Sequence, residues 1–335
     1  MLDLVKKLCL LDATSGDEGA VRNAIIEEIK DFCEYKIDNL GNIIAFKKGK
    51  NTPSRKIMLD AHMDEVGLII TSATADGFLK FSTVGGIDTG VLISRRVKIN
   101  GNISGVIGLK PVHLCHGDEG KKLPKADDLY IDIGAKCKEE ALSLVSLGDT
   151  AVMCGDFIKT GDKILSKALD DRIGCAILIS LIKEESEYDF YASFSVQEEV
   201  GLRGAKVSAF AVNPDFAIIL EGTTAADIAE VAEEKQVCNL GLGAAVSFMD
   251  RSTLYDRELY NLALSSGIPC QAKRFVSGGN NAGAVHLSRE GVRTVAISVP
   301  CRYIHSASSV ADIKDIDSAY KLAKHLILKI AKEEV

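Results

Sequence analysis

Short apolar runs in this chain repeatedly end in acids and histidines, and that pattern constrains the fold more than any other feature. His62 closes KIMLDAH (Lys56–His62) and Asp64 follows it; Glu198 and Glu199 follow YASFSVQ; Glu221 follows FAIIL (Phe216–Leu220); His305 comes just after TVAISVP. Runs that are nearly all apolar read as strands covered on both faces, not as surface strands with one wet side. Between them lie helical spacings: Val21, Ile25, Ile29 and Phe32; Ile173, Ile177, Leu178 and Leu181 after Asp170-Asp171; and segments near Tyr255–Ser265 and Ile316–Lys332. Helices alternating with buried strands predict a sheet between helix layers, an α/β/α domain. In open sheets of this kind ligands bind beyond the carboxyl ends of the strands, so these polar residues are expected to converge there.

From about Gly67 to Gly161 the texture changes to short runs (LIITSA, FLKFSTV, RRVKIN, ISGVIGL) broken by Gly, Asn and Asp. Closely spaced short strands predict a small β-barrel. The expected organisation is a discontinuous catalytic α/β domain, residues 1–66 and 162–335, interrupted by a barrel at 67–161. Within the insert, His116–Asp128 is polar and aperiodic and reads as a mobile loop. With 335 residues, 47% of them hydrophobic, there is material for a large core.

Composition excludes several classes of function. Forty Lys and Arg against 47 Asp and Glu give a net charge of −7, which offers no footprint for nucleic acid or an anionic membrane. The longest apolar stretch, CAILISLI (Cys175–Ile182), is far short of the ~20 residues that span a bilayer. The start, MLDLVKKLCLLDATSGDEG, reads as a helix and a turn without a secretory cleavage site. Nine cysteines, odd in number and without C-x-x-C spacing, read as reduced thiols. A soluble cytoplasmic protein is expected. The absence of Trp argues against a polysaccharide groove.

Two histidines and at least four carboxylates in one place could not stay ionised together without compensation, and cations supply it. Mixed imidazole and carboxylate donors suit zinc, cobalt or manganese better than calcium or magnesium. Each piece also has an ordinary alternative: a structural histidine, an Asp-Asp helix cap, a solvated Glu-Glu face. The recurrence of charge at the ends of apolar runs favours the functional reading.

The strings AHMDEVG (Ala61–Gly67), ALDDRIG (Ala168–Gly174), QEEVGLRGA (Gln197–Ala205) and CRYIHS (Cys301–Ser306), in that order, resemble the tetrahedral (TET) dinuclear metalloaminopeptidases. That family also carries the names glutamyl aminopeptidase and endoglucanase, and the resemblance covers essentially the whole chain. It implies one divalent metal on His62, Asp170 and Glu221 and a second on Asp170, Glu199 and His305, with Asp170 bridging. It also implies Glu198 as general base, and Asp64 as the residue that holds the His62 imidazole through its other nitrogen. Zinc or cobalt would be the metal, with manganese a third fit. For partners it implies peptide substrates and homo-oligomers, with dimers built through the barrel assembling into a hollow dodecamer. Three positions depart from the family pattern: Glu221 and Asn281 stand where Asp is usual, and Cys301 where Gly is common. Alternatives are a two-metal deacylase of N-acyl amino acids, an endoglucanase, or a non-catalytic metal protein. An endoglucanase needs two free carboxylates at a set separation, which metal ligation would consume.

Overall fold

The computed structural model describes residues 1–116 and 123–334. Among the described residues the large domain is built on one eleven-stranded sheet. Its main path runs Glu34–Ile37, Ile43–Lys47, Phe190–Ser195, Ile57–His62, Phe216–Thr224, Arg293–Arg302, Ser309–Asp312, Lys163–Ser166, Ile158–Thr160. Ala244–Val246 and Cys270–Ala272 extend it off Arg293–Arg302. Phe190–Ser195, Ile57–His62, Phe216–Thr224 and Arg293–Arg302 are mutually parallel, so their carboxyl ends share one edge of the sheet.

Strand side chains alternate between faces, and the two cores follow that alternation. Leu59, Ala61, Ile218, Leu220, Val295 and Ile297 pack with Leu8, Ile25, Ile173, Ile177 and Leu326 from the helices Leu2–Cys9, Gly19–Ile29, Leu169–Lys183 and Ile313–Ala331. On the opposite face Met58, Ala217, Ile219 and Ala296 pack with Ala205, Ala209 and Val285 from Arg203–Val212 and Ala282–Val285. The result is the expected three-layer α/β/α domain.

The insert is a closed barrel of six strands among the described residues, in the order Gly67–Ala73, Leu79–Val84, Tyr130–Asp132, Ile103–Gly108, Arg96–Ile99, Thr150–Met153. Leu68, Ile70, Phe81, Val97, Ile99, Ile107 and Ile131 fill its interior. It leaves the large domain directly after the strand that ends in His62. The chain re-enters through Ile158–Thr160, which the sequence reading placed in the insert but which pairs with Lys163–Ser166 in the large sheet.

Two further details differ from the sequence reading. Phe32 lies beyond its helix and is exposed, because Gly19–Ile29 already ends its buried stripe at Ile29. Glu221 lies inside its strand, which continues to Thr224 through pairing with Pro300 and Cys301. Of the loop His116–Asp128, residues 117–122 lie outside the described residues, while Thr89 Oγ1 donates to the Pro124 carbonyl at 2.6 Å and ties the returning segment to the barrel.

Candidate metal centre

The shared strand edge brings His62, Asp170, Glu199, Glu221 and His305 together. His62 Nε2 lies 3.1 Å from Glu221 Oε1 and 3.5 Å from Asp170 Oδ1. His305 Nε2 lies 3.1 Å from Glu199 Oε1 and 3.6 Å from Asp170 Oδ2. The two oxygens of Asp170 therefore face different histidines. Asp170 and Asp171, joined by a cis peptide, depart from helical geometry at the start of Leu169–Lys183. The next strand leaves room for them: a Cβ on Gly222 would come 2.9 Å from the Cβ and Oδ1 of Asp170.

Asp171 plays a different part. Its Oδ2 accepts from the His62 backbone N–H at 3.3 Å and its Oδ1 from Gly174 N–H at 2.9 Å, so it secures the strand Ile57–His62 to the helix Leu169–Lys183. It also comes close enough to His62 and Glu221 to complete a three-donor group, as His62, Asp170 and Glu199 do.

The sequence reading of Asp64 changes in detail. His62 Nδ1 is closer to the Asp64 backbone carbonyl, at 3.1 Å, than to its carboxylate, at 3.5 Å. The carboxylate instead accepts the backbone N–H groups of Glu198 and Glu199 at 3.0 and 3.1 Å. For the second histidine the orienting group comes from the barrel: His305 Nδ1 lies 2.7 Å from the Gly86 carbonyl, which directs Nε2 toward Asp170 and Glu199. A main-chain acceptor in another domain leaves no residue-type signal, so sequence reasoning missed it.

Beneath the site runs a buried ionic cluster, also missed. Glu65 Oε1 accepts from Lys167 Nζ at 2.6 Å and Arg172 Nη2 at 3.3 Å, and fully buried Arg172 donates to the Leu8 carbonyl at 2.7 Å. The available signal was opposite charge in two of the quoted strings, Glu65 in AHMDEVG and Lys167 and Arg172 at ALDDR.

Burial is the largest influence on Asp170, Glu198, Glu199 and Glu221, and it disfavours the charged form. It pushes Glu221 well up, and it carries Glu198 to about 8 with help from Glu199 and Asp170. Asp170 is held below the usual range because His305 and His62 outweigh its burial. Burial also works against imidazolium, yet Glu221, Asp170 and Asp64 drive His62 well up, while Asp170 and Glu199 bring His305 to about 11. Asp170 Oδ1 and Glu221 Oε2 are buried without a hydrogen-bond partner. Orphaned carboxyl oxygens beside two imidazoles are what a divalent cation would satisfy, so the donor set fits metal.

The fold agrees with what the comparisons show. The model of the M42 glutamyl aminopeptidase family matches residues 41–322. A protein of Acetivibrio thermocellus, whose name marks it as a candidate aminopeptidase, is 43% identical over 96% of this chain and 97% of its own. The lysyl aminopeptidase of Pyrococcus furiosus is 33% identical over 97% of this chain and 96% of its own. Among solved structures, the TET1 peptidase of Pyrococcus horikoshii, described as able to assemble into a tetrahedron or a large octahedral shell, superposes with a TM-score of 0.85 at 35% identity, covering 97% of this chain and 98% of that one. Matches of this extent, across both the sheet domain and the barrel, show that the chain belongs to the M42 glutamyl aminopeptidase family.

Proposed function

We propose that this aminopeptidase works through two divalent metal ions, with Glu198 as general base. The observation that carries the reading is the pair of facing donor groups around Asp170. His62, Asp170 and Glu221 would hold one ion, and Asp170, Glu199 and His305 the other; zinc, cobalt and manganese all suit imidazole with carboxylate. Bound there, the ions would polarise the scissile carbonyl, lower the pKa of a water toward neutrality, and draw Glu198 down from about 8 into its ionised form. Glu198 is adjacent to a ligand without being one, so its carboxylate is free to take a proton from that water and pass it to the leaving amine. Asp64 holds the backbone on both sides of the Glu198–Glu199 peptide, which keeps base and ligand in register.

The barrel is proposed as the dimerisation domain, and dimers as the building unit of a hollow dodecamer. Leu142, Leu144 and Leu147 support this, because three large apolar side chains stand exposed on one barrel segment.

Glu198→Gln tests the mechanism. Metal analysis should find two ions per chain, while kcat for peptide hydrolysis falls by roughly 10²–10⁴-fold. Near-wild-type turnover, or loss of the metals, would remove Glu198 from the role of base.

A further inference from the structure

The turn that carries Glu198 and Glu199 is gripped from outside by two carboxylates that accept from three of its successive backbone amides. Gln197 N–H donates to Glu18 Oε1 at 3.1 Å, Glu198 N–H to Asp64 Oδ1 at 3.0 Å, and Glu199 N–H to Asp64 Oδ2 at 3.1 Å. Both acceptors are supported by the segment just before the helix Gly19–Ile29. Ser15 Oγ donates to Asp64 Oδ2 at 2.6 Å, and Glu18 Oε1 also accepts from Gly16 N–H at 2.7 Å. That segment is fastened to the ligand strand in turn: Thr14 bridges Glu65, and Glu65 N–H donates to the Ala13 carbonyl at 2.9 Å.

Two features show that this grip does more than fill space. Glu18 is 3% exposed and Asp64 0%, so both carboxylates have given up water for these donors, and hydrogen bonds to an ionised acceptor are the strong kind. Gln197 has φ of +55°, a left-handed conformation that a residue with a Cβ holds only where its surroundings impose it. The residue under this constraint immediately precedes Glu198. The composition of the loop points the same way. Glu18 is the N-cap residue of its helix but does not cap it with its side chain, which reaches across to Gln197 instead.

We infer that Ser15 and Glu18 are positioning residues for the hydrolysis, clamping the Gln197–Glu199 turn so that Glu199 faces His305 while Glu198 stays free of ligation. The inference rests on the proposed role of Glu198. The physical reason is tolerance: a shift of about 1 Å in a reacting group can cost on the order of 10²-fold in rate. A turn held by three amides on two buried carboxylates has little freedom to make such a shift.

The test uses the full-length, metal-loaded protein with Glu18→Ala, Ser15→Ala and the conservative Glu18→Gln, which keeps an acceptor oxygen. Steady-state kinetics on aminoacyl anilides, metal content, thermal unfolding and amide hydrogen exchange over residues 196–200 are measured for each. Glu18→Ala should lower kcat by roughly 10–10²-fold with KM changed by less than about twofold, keep both metals, and exchange faster at 197–199. Ser15→Ala should lose less, and Glu18→Gln should recover most of kcat. Unchanged kcat and exchange in Glu18→Ala would overturn the clamp. So would loss of its metals or cooperative unfolding, which would make Glu18 a stability residue, or a Glu18→Gln variant as slow as Glu18→Ala. Glu198→Gln run alongside separates the two ideas: near-wild-type turnover there removes the base, whereas exchange at 197–199 reports the clamp independently.

Discussion

Asn281 is the departure from the family pattern that the structure explains most directly. Its Nδ2 donates to Asp60 Oδ2 at 2.6 Å and to Ser195 Oγ at 2.8 Å, and all three residues are fully buried. Asp60 already bears a carboxylate that burial pushes up to about 6 against the opposing help of Ser193, Asn281 and Ser195. An aspartate at 281 would put a second carboxylate against the first, and two such groups cannot both ionise. Asn281→Asp should therefore destabilise the protein at pH 7 by about 1–3 kcal/mol, the range for a buried polar group that loses its hydrogen-bond donor. The exchanged pair Asp60→Asn with Asn281→Asp should recover most of that loss. Urea unfolding of the single and double variants decides it, and a single variant as stable as wild type would refute the account. The sequence flagged Asn281 as unusual but could not pair it with Asp60, because the contact joins positions 221 residues apart across the back of the sheet. His62, Glu199, Glu221 and His305 were legible for the opposite reason. Each is a polar group at or just past the end of an apolar run, and the shared direction of the parallel strands carries all four to one edge of the sheet.

The strands that lead to Glu221 and His305 are joined at their carboxyl ends, on the site's own edge of the sheet, by an ion pair. Arg302, the last residue of Arg293–Arg302, donates from Nε and Nη2 to both oxygens of Asp227, each at 2.7 Å, just beyond the end of Phe216–Thr224. Burial opposes ionisation of Asp227, but Arg302 and the Leu240 N–H overcome it and hold the carboxyl below its ordinary value of 3.8. A depressed folded pKa contributes stability above the unfolded value and loses it as pH falls through the folded one. Asp227→Asn should therefore cost about 1.5–3 kcal/mol at neutral pH, with the gap to wild type constant down to about pH 5 and closing below 3.8. Thermal melts across pH check it, and a gap that widens in acid would contradict the assignment. Element boundaries were harder to read than element types. Ile158–Thr160 is a short exposed strand whose place in the large sheet is set by its hairpin with Lys163–Ser166, which periodicity cannot assign to one domain or the other.

At the scale of the whole molecule, the proposed dodecamer would have a mass of about 430 kDa, twelve times 35.9 kDa. Light scattering should find that mass in the wild type and a smaller species in Leu144→Glu/Leu147→Glu, with hydrolysis of dipeptide substrates per chain retained. A wild type that scatters as a monomer at micromolar concentration would overturn the assembly. The barrel and the sheet domain are less separable than their architecture suggests. Ala307, two residues past His305, packs into the barrel's apolar cluster, and the Gly86 carbonyl sets the ring of His305 from the barrel side. Gly85, with φ of +83°, lies in the same turn, where an added Cβ would come 2.8 Å from Val66 and 3.2 Å from Glu199. Grafting a barrel from another member of the family onto this sheet domain would therefore replace the groups that set His305 and border Glu199. Chimeras cut at the two domain junctions should carry the host's Val84–Ile87 turn with them, because that turn belongs by chemistry to the domain it does not belong to by chain order.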